Sequence, residues 1–165
     1  MYDDLTVPIG DGFVNIRVGA VIMRGGRFLM TGSEDADYLY SVGGRVQFGE
    51  TAEEAIVREV FEETGTRLDI DRLGFVHENY FVAHYPENRR GKLFYELSFF
   101  FYMLVPPDFE PVCASFDDGG SKEFLVWAAP DEPRNLYPEF FRTELLHPSE
   151  GVKHIVNDER GIRHA

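Results

Sequence analysis

The chain has 165 residues, of which 44% are hydrophobic and 15% aromatic, and a formal net charge of −13. Those values fit a globular domain with a substantial core and exclude a disordered or fibrous chain. A charge this negative argues against a nucleic-acid polymer or an anionic membrane as partner, since both need basic patches.

In chain order, Met1 to Asp11 reads as a lead-in with a turn at Gly10-Asp11-Gly12. Phe13 to Met23 is an apolar, β-branched strand, with a hairpin turn at Arg24-Gly25-Gly26 and a return strand at Arg27 to Thr31. A loop over Gly32 to Asp37 leads to a short strand at Tyr38 to Val42 and then to a glycine-bearing loop. The stretch from Ser41 to Thr66, SVGGRVQFGETAEEAIVREVFEETGT, is the organising element. Thr51 with Glu54 three residues later predicts a capping box, which starts a helix near Ala52. Gly65 stands where a helix stop belongs. After the helix come strands at about Leu73–Ala83 and Lys92–Val105, separated by a polar turn over Tyr85–Gly91. The second of these is the most apolar and is expected to be central. Pro106 to Gly120 is a loop, Lys122 to Trp127 a strand, Pro138 to Leu146 a second helix, and Lys153 to Val156 a last short strand. One domain is expected over 1–165, with about 146–165 as a C-terminal extension.

Inside the first helix Glu59, Glu62 and Glu63 are spaced i, i+3, i+4 and therefore share one face. Ile56, Val57, Val60 and Phe61 are expected to pack on the core. Ala52 and Ala55, on the glutamate face, are expected to leave room for something to approach. Glu54 with Arg58 is the favourable i, i+4 pair. Glu50 with Glu54, and Glu59 with Glu63, are like-charge pairs that each cost roughly 0.2–0.5 kcal/mol unless a cation relieves them. Converging carboxylates are hard oxygen ligands suited to Mg²⁺ or Mn²⁺, and the competing reading is a solvated acidic helix.

Gly44, Glu50, Arg58-Glu59, Val60, Glu62-Glu63 and Gly65 stand at fixed separations, and this pattern resembles the Nudix box, the signature of the Nudix hydrolases. The 23-residue box departs from the family pattern at Thr66, where an aliphatic residue is usual. The resemblance implies an α/β fold, a Nudix-type α/β/α sandwich with a mixed sheet. It also implies metal-dependent hydrolysis of a nucleoside diphosphate linked to another group. By position, Glu59, Glu62 and Glu63 would be metal ligands and Gly43 would offer its backbone carbonyl. Glu50 and Arg58 would hold loop against helix, while Gly44, Gly49 and Gly65 would serve turns. The water-activating base is either a box glutamate or one of Asp117, Asp118 and Glu123, with Glu123 preferred because it stands nearest an ordered element.

Outside the box, Glu96 is the single carboxylate in its apolar strand. It either pairs with an arginine such as Arg17 or faces an open site, since an unpaired buried charge is costly. Phe75, Tyr80, Phe81, Tyr85 and Tyr95 could stack a base or belong to the core. Arg17, Glu96, Tyr80 and Tyr95 are the candidate substrate contacts. His77, His84, His147 and His154 have no metal-ligand spacing and are expected on the surface or in packing. Cys113 is the single cysteine, and neither a leader segment nor an apolar run of about 20 residues is evident, so a cytoplasmic setting is expected. The expected partner is a small nucleotide-type molecule. A homodimer through a sheet edge is open. The rival class is a Nudix-like module that binds a nucleotide without cutting it.

Overall fold

The computed structural model describes residues 3–84, 86–117 and 119–161. Tyr85 and Asp118, both named above as candidates, lie outside the described residues. The strands and helices are β1 (Thr6–Ile9), β2 (Gly12–Val21), β3 (Met23–Arg24), β4 (Arg27–Ser33), β5 (Tyr38–Ser41), β6 (Gly43–Arg45), α1 (Ala52–Thr64), β7 (Ile70–Val82), β8 (Leu93–Met103), β9 (Glu123–Ala128), β10 (Asn135–Tyr137), α2 (Phe141–Glu144) and β11 (Lys153–Asp158).

They form two sheets. The first runs β1-β2-β8-β7-β11, with β6 added beside β2. Its β2–β8 and β7–β11 pairs are parallel and its β7–β8 pair is antiparallel. β8, the most apolar strand, is central, as its composition predicts. The second sheet surrounds β4, which pairs antiparallel with β9, β5 and β3, while β10 lies parallel to β5. Mixed sheets with α1 packed against them give the α/β arrangement expected from the box.

The expected hairpin from Phe13–Met23 into Arg27–Thr31 is replaced by a change of sheet. Fully buried Ile22 interrupts the strand and accepts a hydrogen bond from the Leu29 amide at 2.9 Å. Thus β2 remains in the first sheet, while Met23 and Arg24 pair with β4 in the second. The second helix shrinks from Pro138–Leu146 to the single turn of α2. The residues before Pro138 are drawn into β10 against β5, a pairing without local signature, and no side chain caps α2.

α1 follows its local sequence closely. Thr51 accepts from the Glu54 amide, Glu54 accepts from the Thr51 amide, and Gly65 closes the helix at φ 74°. Thr51→Ala removes this cap and is expected to cost about 1 kcal/mol in chemical denaturation. Ile56 and Val60 are buried as expected, whereas Phe61 is 50% exposed. Ala55 is fully buried and Ala52 packs against the core, so the room expected there is taken by protein. The small alanines let α1 settle onto the first sheet, and the buried strip of the helix therefore overlaps its glutamate face. One core cluster joins α1 to Val18, Ala20, Leu29 and Phe101. The other joins Phe28, Met30, Phe75, Phe100 and Phe141.

Candidate active site

Because α1 lies with part of its glutamate face inward, Glu63 is buried, with 8% exposure. Its carboxylate accepts from the Gly43 amide at 3.1 Å and from the Thr31 hydroxyl at 2.9 Å. These two neutral donors only partly replace water. Burial therefore pushes the Glu63 carboxyl up to about 8, and the neighbouring charges of Glu59 and Glu123 push the same way. The Gly43 atom that meets the helix is its N–H.

Glu59 is also held above the usual carboxylate range by burial, against the opposing pull of Arg58. It lies flat on the glycine loop: a Cβ at Gly44 would stand 2.4 Å from Glu59 Oε1. Arg58 ties the loop to the helix. Its Nε and Nη2 donate to the two oxygens of Glu50 at 3.1 and 2.6 Å, and Nη2 also donates to the Arg45 carbonyl at 3.1 Å. This paired contact keeps Glu50 below the ordinary carboxylate range. Arg58 Nη1 further donates to Glu59 at 2.7 Å and Glu62 at 3.3 Å. The expected Glu54–Arg58 pair is therefore replaced by Arg58–Glu62, because Glu54 is engaged in the capping box.

The second sheet brings further polar groups to Glu63. Thr31 is opposite Tyr40 on β5 and Leu125 on β9, so the same sheet face carries Thr31, Tyr40, Ser33 and Glu123. Tyr40 donates its hydroxyl to Glu123 at 2.6 Å, and Ser33 donates to Asp117 at 2.7 Å. Burial, followed by the hydrogen bond to Glu123 and then its charge, raises the Tyr40 hydroxyl well above its ordinary range. Asp117 is held low by the hydrogen bonds of Ser33 and the Ser121 amide. Glu123 thus reaches the neighbourhood of Glu63, whereas Asp117 is committed to its own loop. Thr31 and Tyr40 carried no sequence motif. Thr31 could have been suspected as a polar residue within the apolar run of β4.

The other candidates divide between the two faces of the first sheet. Arg17 and Glu96 share one face, with Arg17 Nε 3.9 Å from Glu96 Oε2, and Arg17 is near enough for its charge to pull Glu59 down. Tyr80 and Tyr95 are on the opposite face, because side chains alternate along β7 and β8. Tyr95 donates to Glu78 at 2.8 Å, and Tyr80 lies beneath the Arg160 guanidinium. The four expected substrate contacts therefore cannot line one surface. Phe75 is core, while Phe81 stacks on Phe94. His77 is buried against Phe100 and Phe140, His154 bonds Glu78 at 2.5 Å, and His84 and His147 are exposed.

Hard carboxylate oxygens beside a close-lying glycine loop are the donor chemistry a divalent cation needs. A cation would also favour ionised Glu63 and Glu59, which burial disfavours. The donor set fits in kind. It is not gathered to a point: among the described residues no three histidine, cysteine, aspartate or glutamate side chains are grouped to hold one ion. The reason is visible in the bonding, since Glu59 and Glu62 turn to Arg58 while Glu63 turns to Thr31 and Gly43.

A NUDIX domain model matches residues 14–145. A MutT-like protein of Streptomyces ambofaciens is 38% identical over 61 residues, 37% of this chain and 40% of that protein. YtkD of Bacillus subtilis (strain 168), named as a proposed 8-oxo-dGTP diphosphatase, is 53% identical over 49 residues, 29% of this chain and 30% of that protein. The chain thus matches less than half the length of either curated relative. The crystal structure of a MutT NUDIX hydrolase from Burkholderia pseudomallei has a TM-score of 0.57 at 24% identity, covering 81% of this chain and 98% of that one. At that identity the likeness shows the fold.

Proposed function

Because the chain belongs to the Nudix family, we propose that it is a metal-dependent pyrophosphohydrolase. The bond cleaved is a phosphoanhydride of a nucleoside diphosphate linked to another moiety, by attack of water at phosphorus. Substrates in this class are ordinary or oxidised nucleoside triphosphates, ADP-ribose, dinucleoside polyphosphates and nucleotide sugars. The observation that carries the reading is the Glu63 carboxyl buried beside Glu59 and the glycine loop, where burial disfavours the ionised form unless a cation compensates it.

Glu59, Glu62, Glu63 and the Gly43 carbonyl would hold Mg²⁺ or Mn²⁺. Such an ion offsets the charge of the diphosphate and lowers the pKa of bound water. Glu123 is suited to accept the proton of the attacking water, and the Tyr40 hydroxyl fixes one of its oxygens. The Glu50–Arg58 contact keeps the loop at its working distance from α1. Arg17 lies where its charge can meet a phosphate near Glu59. Among the described residues no helix is long and apolar enough to cross a membrane. A cytoplasmic protein acting on small nucleotides, with homodimerisation through a sheet edge as an option, accords with the acidic composition.

One observation favours the second reading, a module that binds a nucleotide without cutting it: Arg58 already neutralises Glu59 and Glu62. The deciding experiment is phosphate and pyrophosphate release from a panel of these nucleotides, with Mg²⁺ or Mn²⁺ and with chelator. Metal-dependent release is expected from at least one compound. Binding to the panel without release from any member would transfer the proposal to the second reading.

A further inference from the structure

The three box glutamates differ in what holds them. Glu59 and Glu62 turn to one cation, accepting from Arg58 Nη1 at 2.7 and 3.3 Å. Glu63 is held by neutral groups, one on each oxygen: the Gly43 amide on Oε1 at 3.1 Å and the Thr31 hydroxyl on Oε2 at 2.9 Å. The Arg58 guanidinium would be repelled by a divalent ion at the glutamates, so the contacts that orient Glu59 and Glu62 are open to exchange. Neutral donors are not repelled in that way. A carboxylate oxygen that accepts one hydrogen bond also keeps a second lone pair for a cation. Glu63 is therefore the member of the set whose orientation can stay the same with and without the ion.

Its two donors come from different sheets. Gly43 belongs to β6, beside β2 in the first sheet, and Thr31 to β4 in the second. Thr31 is fully buried, between buried Met30 and Gly32. Its register sets it opposite Tyr40 on β5 and Leu125 on β9, and its side chain meets α1 at Glu63. A hydroxyl buried in a strand costs stability unless it is bonded, and valine would fill a β-strand position without that demand. Among the described residues the bond this hydroxyl donates goes to Glu63. The polar atom at this place therefore serves the carboxylate rather than the strand.

We propose that Thr31 is a positioning residue for metal binding: its hydroxyl fixes the orientation in which the Glu63 carboxylate meets the cation and ties that carboxylate to the second sheet. This deepens the metal-dependent reading above and rests on it.

The test is Mn²⁺ binding by calorimetry, without nucleotide, to the wild-type chain, Thr31→Val and Thr31→Ser, with melting in chelator as the check that each is folded. The two substitutions set packing against hydrogen bonding. Valine keeps the branched shape and loses the O–H, whereas serine keeps the O–H and loses the methyl group. If Thr31 serves packing alone, Thr31→Val should match the wild type and Thr31→Ser should be the weaker. Positioning gives the reverse order. Thr31→Val should bind Mn²⁺ about tenfold or more weakly, as for other groups that orient a metal ligand, while Thr31→Ser stays close to the wild type. Adding Thr31→Val to Glu63→Gln should then weaken binding little further, since the two residues act through one contact. Thr31→Ala beside Thr31→Ser repeats the hydroxyl comparison should the valine protein not fold. Wild-type affinity in Thr31→Val, a serine protein as weak as the valine one, or the full loss repeated in Glu63→Gln would overturn the assignment. Metal-dependent hydrolysis alongside any of those results would leave the enzymatic reading standing. Absence of Mn²⁺ binding by the wild-type chain would retire both.

Discussion

Glu63→Gln is expected to lower turnover by more than about a hundredfold while leaving the fold intact. Residues that merely orient a metal ligand are typically worth about 10–100-fold, and Glu63 is proposed as a ligand itself. Folding should survive because glutamine retains a carbonyl oxygen for one of the two donors, the Gly43 amide and the Thr31 hydroxyl. The pH dependence of stability separates this from a general structural defect. Against an ordinary carboxylate value of 4.5 in the unfolded chain, burial pushes the Glu63 carboxyl up to about 8 in the folded one. Between those values the folded chain holds a proton that the unfolded chain has released, so the Glu63 contribution to stability falls as pH rises through that window. Below 4.5 both states are protonated and the penalty is absent; above 8 it is complete. Urea denaturation at pH 5.5 and pH 8 in chelator should therefore show a smaller loss in Glu63→Gln than in the wild type. Adding Mg²⁺ should raise the wild-type melting temperature most at the higher pH, since an ion that binds only the folded state stabilises it. Identical pH profiles for the two proteins would remove Glu63 from this role.

The second large effect is a contrast between adjacent glycines. Gly43 has φ 155°, and a Cβ there would stand 2.2 Å from the Val18 carbonyl oxygen and 2.9 Å from Gly19 Cα. Both obstacles are backbone in the middle of the first sheet and cannot rotate away. Gly43→Ala is expected to cost about 3 kcal/mol or more, through backbone strain and a displaced β2–β6 pairing. At Gly44 the obstacle is the Glu59 carboxylate, 2.4 Å from the new carbon, at the end of a flexible side chain. Gly44→Ala should accordingly keep most of its stability and lose activity by moving Glu59. Chemical denaturation and turnover measured on both variants check the pair. A folded, active Gly43→Ala would contradict the close approach of β6 to β2, and a fully active Gly44→Ala would separate Glu59 from catalysis.

Much of the helix and loop was legible because its determinants are local. The Thr51–Glu54 cap, the left-handed Gly65 and the run of box glutamates all act within a few turns of chain, and the structure has the cap and the stop at those residues. The apolar density of Lys92–Val105 likewise indicated a central strand, since a strand flanked on both sides must bury both faces. Local pattern misled where a neighbour took part. Phe61 is exposed, and Ala55 is buried, because the docking of α1 on β2 and β6 chose which strip of the helix turned inward. Arg58 left its neighbour Glu54, which the capping box engages, for Glu50, Glu59 and Glu62.

What the sequence by itself determined was the family, the box carboxylates proposed as its metal ligands and the mixed α/β character of the chain. Tertiary structure alone decided which distant residues complete the site. Thr31 reaches Glu63, Tyr40 reaches Glu123, and Asn15 reaches Glu96 across 32, 83 and 81 positions of sequence. Strand register makes the last two meetings and the docking of α1 the first, and a shift of one residue would turn each strand side chain to the opposite face. The same alternation separated Tyr80 and Tyr95 from Arg17 and Glu96, four residues that the sequence offered as one surface.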